Sequence, residues 1–531
     1  MSTPTIAKSI LTDRNSEYKA KDVIEIFIPP EVVPMLNPAE TYLKWIVEIK
    51  NTTHCVQPDV AAGAHSLISE IQVYDGQNQQ LLEQLEEYNS WTAKKFHYDQ
   101  TNGLRNMRAL MEGQSRVQAP FVTSLYYTPD LISGNTYRPV ECCLPLHMSG
   151  IFGADGKVFP ALLTAGLRLR ITLEDNVRAL RMVTTAGFTT ETAPAVTDPP
   201  SATAVIANPT TTSDNPRGLF FQLGTVIAGG APITSIDVDK VGAGGLAVDC
   251  NSDTCGFRVG MQIGYQDNAG KLVNCGEILS ISDAVTKISF NIASITPDAA
   301  EAAGLGKRVF VFTSSLNQAP EYHVRNVELV CSVVEAKQEV INKMVQRVNS
   351  GNVKIDYTSY NIYRNNLNAG VNRPNVLFGT TEFRAMSINS FPSKTQNGYL
   401  DDNLNSIGDG MTSYQYNIAN RLTPNRRVDV TRVASIVNNL EWNAIHQHEL
   451  KKALSRFGIA PRFLCKNKEM YGLGRELAKV GKSFDANNQE IRLDMEYSTA
   501  AGNNAIEKLL QTWVYHIRTL VISQNSLAVV F

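Results

Sequence analysis

Residues 143–175 read CLPLHMSGIFGADGKVFPALLTAGLRLRITLED, and this stretch decides the fold class. From residue 167 to residue 174, every second residue is apolar and the residues between them are charged or polar. This period of two is typical of a β-strand with one face on a core and the other in water. Upstream, Gly150, Gly153 and Gly156 interrupt the apolar run, which predicts strand, corner, short helix and strand.

The same alternation recurs far away in the chain. It is present in TYLKWIVEIK (41–50), HVRNVELVCSVVEA (323–336) and EIRLDMEYS (490–498). Short strands with frequent turns and no strand–helix–strand rhythm favour sheet sandwiches over a parallel sheet. The sequence therefore predicts an all-β protein, and eight-stranded jelly rolls are one solution.

A chain of 531 residues is too long for one ordinary core, and its two halves share a plan of strands, a helical excursion and closing strands. Residues 194–216, PAVTDPPSATAVIANPTTTSDNP, have the composition of an extended linker, and short strands follow them. These features predict two tandem sandwiches, for which eight-stranded jelly rolls are one solution, with an inserted small β domain. The predicted layout is an N-terminal tail at 1–20, a first jelly roll at 21–180 completed by 321–336, the insertion at 181–320 with its Pro/Thr-rich linker, a linking helix at 337–351, and a second jelly roll at 352–531.

Two helices and one strand complete the expectations. Leu82, Leu85, Tyr88 and Trp91 recur at helical spacing and predict a helix through residues 81–97. A second helical stretch is expected within residues 431–458. The apolar end, Leu527 to Phe531, predicts a closing strand that buries Phe531.

The composition excludes several classes of protein. The net charge is −2, so a basic protein that coats nucleic acid is not indicated, and no specific nucleic-acid binding is predicted. The eight cysteines are scattered without a CxxC pair, which predicts buried free thiols. The first residues contain no apolar segment typical of a secretory signal, and no apolar run reaches the roughly 18 residues of a membrane span.

Sequence patterns that resemble phosphate or metal sites are weak. Residues 480–483, VGKS, lack the upstream glycine of a phosphate-binding loop, since position 476 is glutamate. His446 and His448 are two residues apart in an expected helix, so they face different ways, and a solvated helix face explains them. His65 and Glu70, in HSLISE, are the nearest approach to a metal-binding cupin pattern, and an ordinary strand explains them better.

Two further patterns are also discounted. The aspartates of the insertion, Asp237, Asp239, Asp249 and Asp253, fit no calcium-loop spacing. Asn51, Thr52 and Thr53 form a glycosylation sequon without a secretory signal. No catalytic, cofactor-binding or metal-binding residue is therefore predicted, and no cofactor is expected.

The stretch at 143–175 resembles a region of the double jelly-roll major capsid proteins of eukaryotic double-stranded DNA viruses, above all the virophage and polinton-like group. The features that carry the resemblance are the Leu-Pro-Leu strand, the Gly-Phe corner and the Gly-Leu-Arg-Leu strand with an acidic end. A strand, an Asp-Gly turn at 75–76 and a Leu-Glu-rich segment are similar as well, and so are YQYNIANRLTPNRRVDV (414–430), the helix around 434–445 and the terminal strand pair.

The resemblance implies two tandem eight-stranded jelly rolls in an all-β chain, and a structural protein of the virion and not an enzyme. It implies a homotrimer of near-hexagonal outline that tiles an icosahedral capsid, with penton and minor capsid proteins as partners and with assembly in the host cytoplasm or nucleus. Two alternatives stay open. One is a jelly-roll protein that binds or acts on carbohydrate, for which exposed aromatic residues or paired carboxylates would be expected. The other is a multi-domain β scaffold without a specific site.

Overall fold

The computed structural model describes the chain in segments. These are residues 5–12, 17–50, 56–59, 62–99, 107–108, 111–113, 127–130, 134–137, 139–153, 157–182, 202–205, 223–239, 259, 262–268, 272–284, 286–305, 307, 309–314, 321–351, 353–394, 404, 406–430, 444–460, 471–477, 483–499, 504, 506–523 and 526–530.

The elements of the first part, up to residue 182, are mostly strands. The strands are β1 (Thr5–Leu11), β2 (Glu17–Lys19), β3 (Val23–Ile28), β4 (Leu36–Lys50), β5 (Val56–Pro58), β6 (Ile68–Asp75), β7 (Leu81–Glu86), β8 (Tyr127–Asp130), β9 (Gly134–Tyr137), β10 (Val140–Pro145), β11 (Leu167–Leu173) and β12 (Leu180–Met182). The helices are α1 (Tyr88–Asp99) and α2 (Asn176–Ala179), with 3-10 helices at Gly63–Leu67 and Ala161–Thr164.

The remaining elements follow in two groups. The middle of the chain contains β13 (Ala202–Val205), β14 (Ile233–Asp239), β15 (Gln262–Gln266), β16 (Leu272–Asp283), β17 (Lys287–Ile295), a 3-10 helix at Ala299–Glu301 and β18 (Val309–Ser314). The last part contains β19 (Glu321–Val334), α3 (Gln338–Ser350), β20 (Val353–Leu367), β21 (Asn375–Thr380), β22 (Ala385–Lys394), β23 (Met411–Ile418), β24 (Arg421–Asp429), α4 (Ala444–Arg456), β25 (Leu473–Glu476), β26 (Gln489–Tyr497), β27 (Lys508–Ser523) and β28 (Ser526–Val530).

The first half of the chain forms a sandwich of two antiparallel sheets. One sheet has the order β1-β19-β4-β10, and the short strand β2 also pairs with β19 in this sheet. The other sheet has the order β3-β11-β6-β7. When the eight main strands are numbered along the chain, these orders are 1-8-3-6 and 2-7-4-5. Consecutive strands thus alternate between the sheets before the chain returns, which is the wrapping of a jelly roll.

The second half repeats this order. Its sheets are β20-β27-β22-β25 and β21-β26-β23-β24, again 1-8-3-6 and 2-7-4-5 along the chain. Each half also places a helix, α1 or α4, between its fifth and sixth main strands. The predicted fold class, two tandem jelly rolls in an all-β chain, is confirmed by this topology.

The opening stretch places its apolar residues as predicted. Leu167, Leu169, Ile171 and Leu173 of β11 are buried, and the residues between them are less buried. Strand β11 lies inside its sheet, paired with β3 on one side and β6 on the other, so both of its edges are hydrogen-bonded. On the wet face, Arg170 pairs with Glu25 of β3 at 2.6 Å. The period of two therefore sets both the burial and the orientation of this strand.

Two local expectations were wrong, and a third is confirmed in part. The segment expected as a tail contains β1, which pairs along its whole length with β19. The helix expected over 81–97 begins only at Tyr88, because Leu81–Glu86 pairs with β6 as a strand. The closing strand β28 does pair with β27, but Val530 is half exposed, and Phe531 lies outside the described residues.

The strands from the middle of the chain form a sheet of their own, in the order β13-β18-β15-β16-β17-β14. Among the described residues, none of these strands pairs with a strand of either sandwich. Helix α3 connects β19 to β20, and so joins the last strand of the first sandwich to the first strand of the second. The domain boundaries given above stay predictions.

Candidate functional site: the junction of the two sandwiches

Helix α1 belongs to the first sandwich but packs into the second. Trp91 is fully buried, and its ring centroid lies 4.3 Å from that of Phe457, after α4, and 5.0 Å from that of Trp513 on β27. Phe391 meets it edge-on at 5.7 Å, and Tyr360 lies at 6.4 Å. Such aromatic pairs add about 0.5–1.5 kcal/mol each beyond the burial of their area. We call these five residues the aromatic junction.

Lys94 is held inside the same contact. Its Nζ atom donates to Ser90 Oγ at 2.8 Å within α1 and to the Leu404 carbonyl of the second half at 3.1 Å. The ammonium also lies 5.0 Å from the Trp513 ring and 5.3 Å from the Phe391 ring. A buried cation is tolerated only when acceptors or aromatic faces replace its water. Lys94 therefore fixes the rotation of α1 against the second sandwich.

Glu83 on β7 is a second buried charge-bearing group at the junction. Its carboxylate accepts hydrogen bonds from Ser149 Oγ at 2.5 Å and from the Gly150 amide at 2.7 Å. Burial raises the pKa of Glu83 to about 7, although these hydrogen bonds and the nearby Arg518 guanidinium favour the charged form. Glu83 thus fixes the turn that follows β10, and this turn contacts the second sandwich.

Backbone meets backbone at that turn. A Cβ atom added to Gly150 would lie 1.8 Å from the carbonyl oxygen of Thr358 on β20, so only glycine fits. Beside it, the Tyr357 hydroxyl of β20 donates to the Leu82 carbonyl of β7. The backbones of the two sandwiches are therefore in direct contact at Gly150, which has no side chain to separate them.

Ion pairs surround the buried contacts. Arg364 on β20 pairs with Glu86 at 2.8 Å and with Glu87 at 3.4 Å, and Arg178 pairs with Glu87 at 2.6 Å. Because Arg364 and Glu86 are about two-fifths exposed, this pair adds less than about 1 kcal/mol. The contact between the two sandwiches is therefore stabilised mainly by the aromatic junction and the backbone contacts. Because the centre of this interface is buried and mostly aromatic, we expect the two sandwiches to move as one block.

The histidine pair considered in the sequence is split by the structure. His446 is fully buried in α4, where its ring stacks on Tyr471 at 5.6 Å and meets Tyr414 edge-on at 5.7 Å. Burial lowers its pKa to about 4. The solvated face expected for both residues was therefore wrong for His446, because that side of α4 packs on the sheet; His448 is exposed.

The other discounted patterns are only partly described. Asp237 is paired with Lys287 at 2.6 Å and accepts a hydrogen bond from Thr225, while Asp249 and Asp253 lie outside the described residues. Most of the VGKS segment and the sequon at 51–53 also lie outside them. His65 was expected in a strand, but it lies in the 3-10 helix that precedes β6. It is fully buried there, 3.2 Å from Glu112.

Tryptophan burial bears on the carbohydrate alternative. Trp45, Trp91 and Trp513 are fully buried, so none of them offers a face to a sugar ring. Trp442 lies outside the described residues. In the described ranges, no helix has the length and apolar character needed to cross a bilayer.

Comparisons with known proteins give structural matches only. No family model and no curated protein sequence matches the chain. Among solved structures, it is similar to the PBCV-1 virus capsid (TM-score 0.48, 8% identity, covering 100% of this chain and 98% of that one). It is also similar to the Faustovirus major capsid protein, with a TM-score of 0.47 and 8% identity over 98% of this chain and 91% of that one. The Sputnik virophage structure is similar as well, with a TM-score of 0.46 and 9% identity over 100% of this chain and 89% of that one.

The strand order of each sandwich is a property of this chain itself and does not depend on those matches. Two sandwiches, each with the order 1-8-3-6 over 2-7-4-5, share a cluster of buried apolar residues contributed by both halves of the chain. The chain is a double jelly-roll protein.

Proposed function

We propose that this chain is a structural capsid protein that self-associates as a homotrimer and tiles a closed icosahedral shell. The observation that carries the proposal is the rigid pairing of two jelly rolls with identical strand order in one chain. Three such blocks around a threefold axis place six similar sandwiches in a near-hexagonal ring. Blocks of that outline pack into flat facets, and a closed assembly then needs only small differences between edge contacts. This architecture supports the capsid role.

Rigidity matters for this function because a shell transmits contacts from one subunit to the next. A hinge between the jelly rolls would let the hexagonal outline deform. The aromatic junction, the buried Lys94 and the Gly150–Thr358 contact each oppose such a hinge. The mechanism is therefore packing and self-association, in the virion, with penton and minor capsid proteins as further partners and with assembly in the host cytoplasm or nucleus.

Helix α3 offers a surface for self-association. Val340, Ile341, Met344, Val345 and Val348 lie along one side of it, yet none of the residues of the helix is buried in the single chain. Val340 and Val345 are each about two-fifths exposed. Val348 packs partly against the core, but a helix face that stays largely exposed in one subunit is stabilised when a second subunit covers it.

The test is the oligomeric state of the purified full-length chain at micromolar concentration. We expect light scattering to give about three times the 58.4 kDa chain mass. Negative-stain microscopy should show particles of hexagonal outline. A monodisperse single chain at this concentration would contradict the proposal.

A further inference from the structure

Three side chains from separate parts of the first jelly roll converge on one point. His65 comes from the 3-10 helix before β6, Glu112 from the segment 111–113, and His147 from the turn after β10. One ligand atom from each lies within 4.8 Å of the others. His65 and Glu112 are almost completely buried, and His147 is about one-quarter exposed.

Two of the ligand–ligand distances are close to those around a single ion, and the third, between the two histidines, is within 4.8 Å. His65 Nε2 lies 3.2 Å from one carboxylate oxygen of Glu112, and His147 Nε2 lies 3.6 Å from the other. Ligand atoms bound tetrahedrally at about 2.0–2.1 Å from Zn²⁺ are roughly 3.4 Å apart. The observed separations therefore need only small adjustments for joint coordination.

Hydrogen bonds among the three side chains do not satisfy all of their polar atoms. Glu112 accepts a hydrogen bond from the His65 ring. His147 Nε2 is buried, and at 3.6 Å from Glu112 it is beyond hydrogen-bonding distance of that carboxylate and of every other acceptor among the described residues. A cation between the three side chains would engage His147 Nε2, His65 Nε2 and the carboxylate together.

The surroundings hold the ligands in place and keep most water out. The Phe96 ring meets His65 at 5.5 Å and His147 at 5.6 Å, both edge-on. The Glu112 carbonyl accepts the Ala64 amide at 2.9 Å, which ties its segment to the 3-10 helix that contains His65. Two ligands are thus placed by backbone contacts and by an aromatic wall.

The charges near the cluster include one cation. Arg108 Nε lies 3.8 Å from Glu112 Oε1, and the guanidinium stacks on Phe96 at 3.8 Å. Asp99 lies 3.9 Å from the same guanidinium and offsets it. Such an outer partner orients a ligating carboxylate.

We propose that His65, Glu112 and His147 form a Zn²⁺ site that clamps three segments of the first jelly roll together. Two imidazoles and one carboxylate favour zinc over the oxygen-preferring Ca²⁺ and Mg²⁺. A water molecule would complete four-fold coordination on the exposed side of His147. The role is structural, and no reaction is assigned to the site.

The test uses the full-length protein, freed of metal and then dialysed against Zn²⁺ of limited concentration. Elemental analysis should find about one zinc ion per chain in the wild type and nearly none in His147→Ala or Glu112→Gln. His448→Ala removes an exposed histidine elsewhere and should bind zinc as the wild type does. Added zinc should raise the thermal midpoint of the wild type and of His448→Ala, but not of the two site variants.

Substitution with Co²⁺ gives an independent readout. A tetrahedral site containing nitrogen ligands should give visible absorption in the wild type that is lost in His147→Gln, the milder replacement. Wild-type protein without bound zinc would overturn the proposal. Zinc binding that is equal in wild type and His147→Ala would overturn it as well, provided that circular dichroism shows both to be folded.

Discussion

Gly150 of the first jelly roll and Thr358 of the second are in backbone contact, so close that an added Cβ would lie 1.8 Å from the Thr358 carbonyl oxygen. Gly150→Ala must therefore push the two jelly rolls apart or distort β20. We expect a loss of about 3 kcal/mol in the free energy of unfolding, measured by denaturant titration. Gly379→Ala is the matched control, because its added methyl would meet nothing within 4 Å. Equal stability of the two variants would show that the contact is not rigid.

The buried carboxyl of Glu83 should make stability depend on pH. Its pKa is about 7 in the folded chain, above the ordinary glutamate value of 4.5, so the folded state keeps a proton that the unfolded state loses between these values. Stability contributed by this group is therefore highest at low pH, decreases from pH 4.5 to pH 7 by about 3 kcal/mol, and then levels off. Glu83→Gln should remove this decrease.

The measurement is the free energy of unfolding of wild type and Glu83→Gln from pH 5 to pH 8. The difference between them should grow in favour of the variant as the pH rises. Glu86→Gln, on the same strand but at the exposed rim, should follow the wild type. A difference between wild type and Glu83→Gln that does not change with pH would show that Glu83 is ionised in the folded chain throughout.

The first residues of the chain should be needed for stability. Strand β1 pairs with β19 from Thr5 opposite Val334 to Leu11 opposite Glu328. Deleting residues 1–12 would leave this edge of β19 unpaired, which lowers the thermal midpoint and promotes aggregation. Differential scanning fluorimetry and light scattering measure both effects, and deletion of residues 1–4 is the control. Unchanged melting of the longer deletion would restore the interpretation of this segment as a dispensable tail.

The apolar side of α3 should matter for assembly and not for folding. Val345→Asp places a charge on that side, whereas Gln346→Asp places it on the opposite side, one residue further along the helix. We expect Val345→Asp to reduce the trimer fraction at least tenfold at micromolar concentration, because a carboxylate in an apolar contact costs more than about 1.4 kcal/mol. The thermal midpoint of the single subunit should be similar in both variants. Equal trimer fractions would place α3 outside the subunit contacts.

The strands of the middle region should be dispensable for the trimer. They pair only among themselves in the described part of the chain, so we expect the insertion at 181–320 to lie on the outside of the capsomer. Replacing residues 195–315 with a short flexible linker costs little closure entropy. The shortened chain should still form trimers by light scattering. Loss of the trimer in a chain that still folds would mean that the insertion takes part in subunit contacts.

Much of the fold was determined by local pattern. The alternation at Leu167 to Leu173 and in the strands around Trp45 and Leu329 fixed which face is buried, because side chains in a strand point alternately to opposite sides. The local pattern gave a wrong prediction where a strand and the helix after it together show one helical spacing of apolar residues. Leu82 and Leu85 fit a helical spacing together with Tyr88 and Trp91, but pairing with β6 makes their segment a strand. The polar N-terminal segment looked like a tail because its partner, β19, lies more than 300 residues away in the sequence.

The junction and the candidate metal site depended on tertiary structure alone. His65, Glu112 and His147 fit no ligand spacing in the sequence, since jelly-roll wrapping brings together residues that lie 47 and 35 positions apart along the chain. Likewise, nothing in the neighbouring sequence shows that Gly150, and not Gly153, contacts the second sandwich. Nor does it show that Trp91 packs against the second sandwich and not in the core of the first. By itself, the sequence determined most of the strands and their buried faces, because these follow from periodicity, whereas the jelly-roll class also needed the resemblance of residues 143–175 to a known family. Which residues meet across the two sandwiches was decided by long-range packing, which no short stretch of sequence encodes.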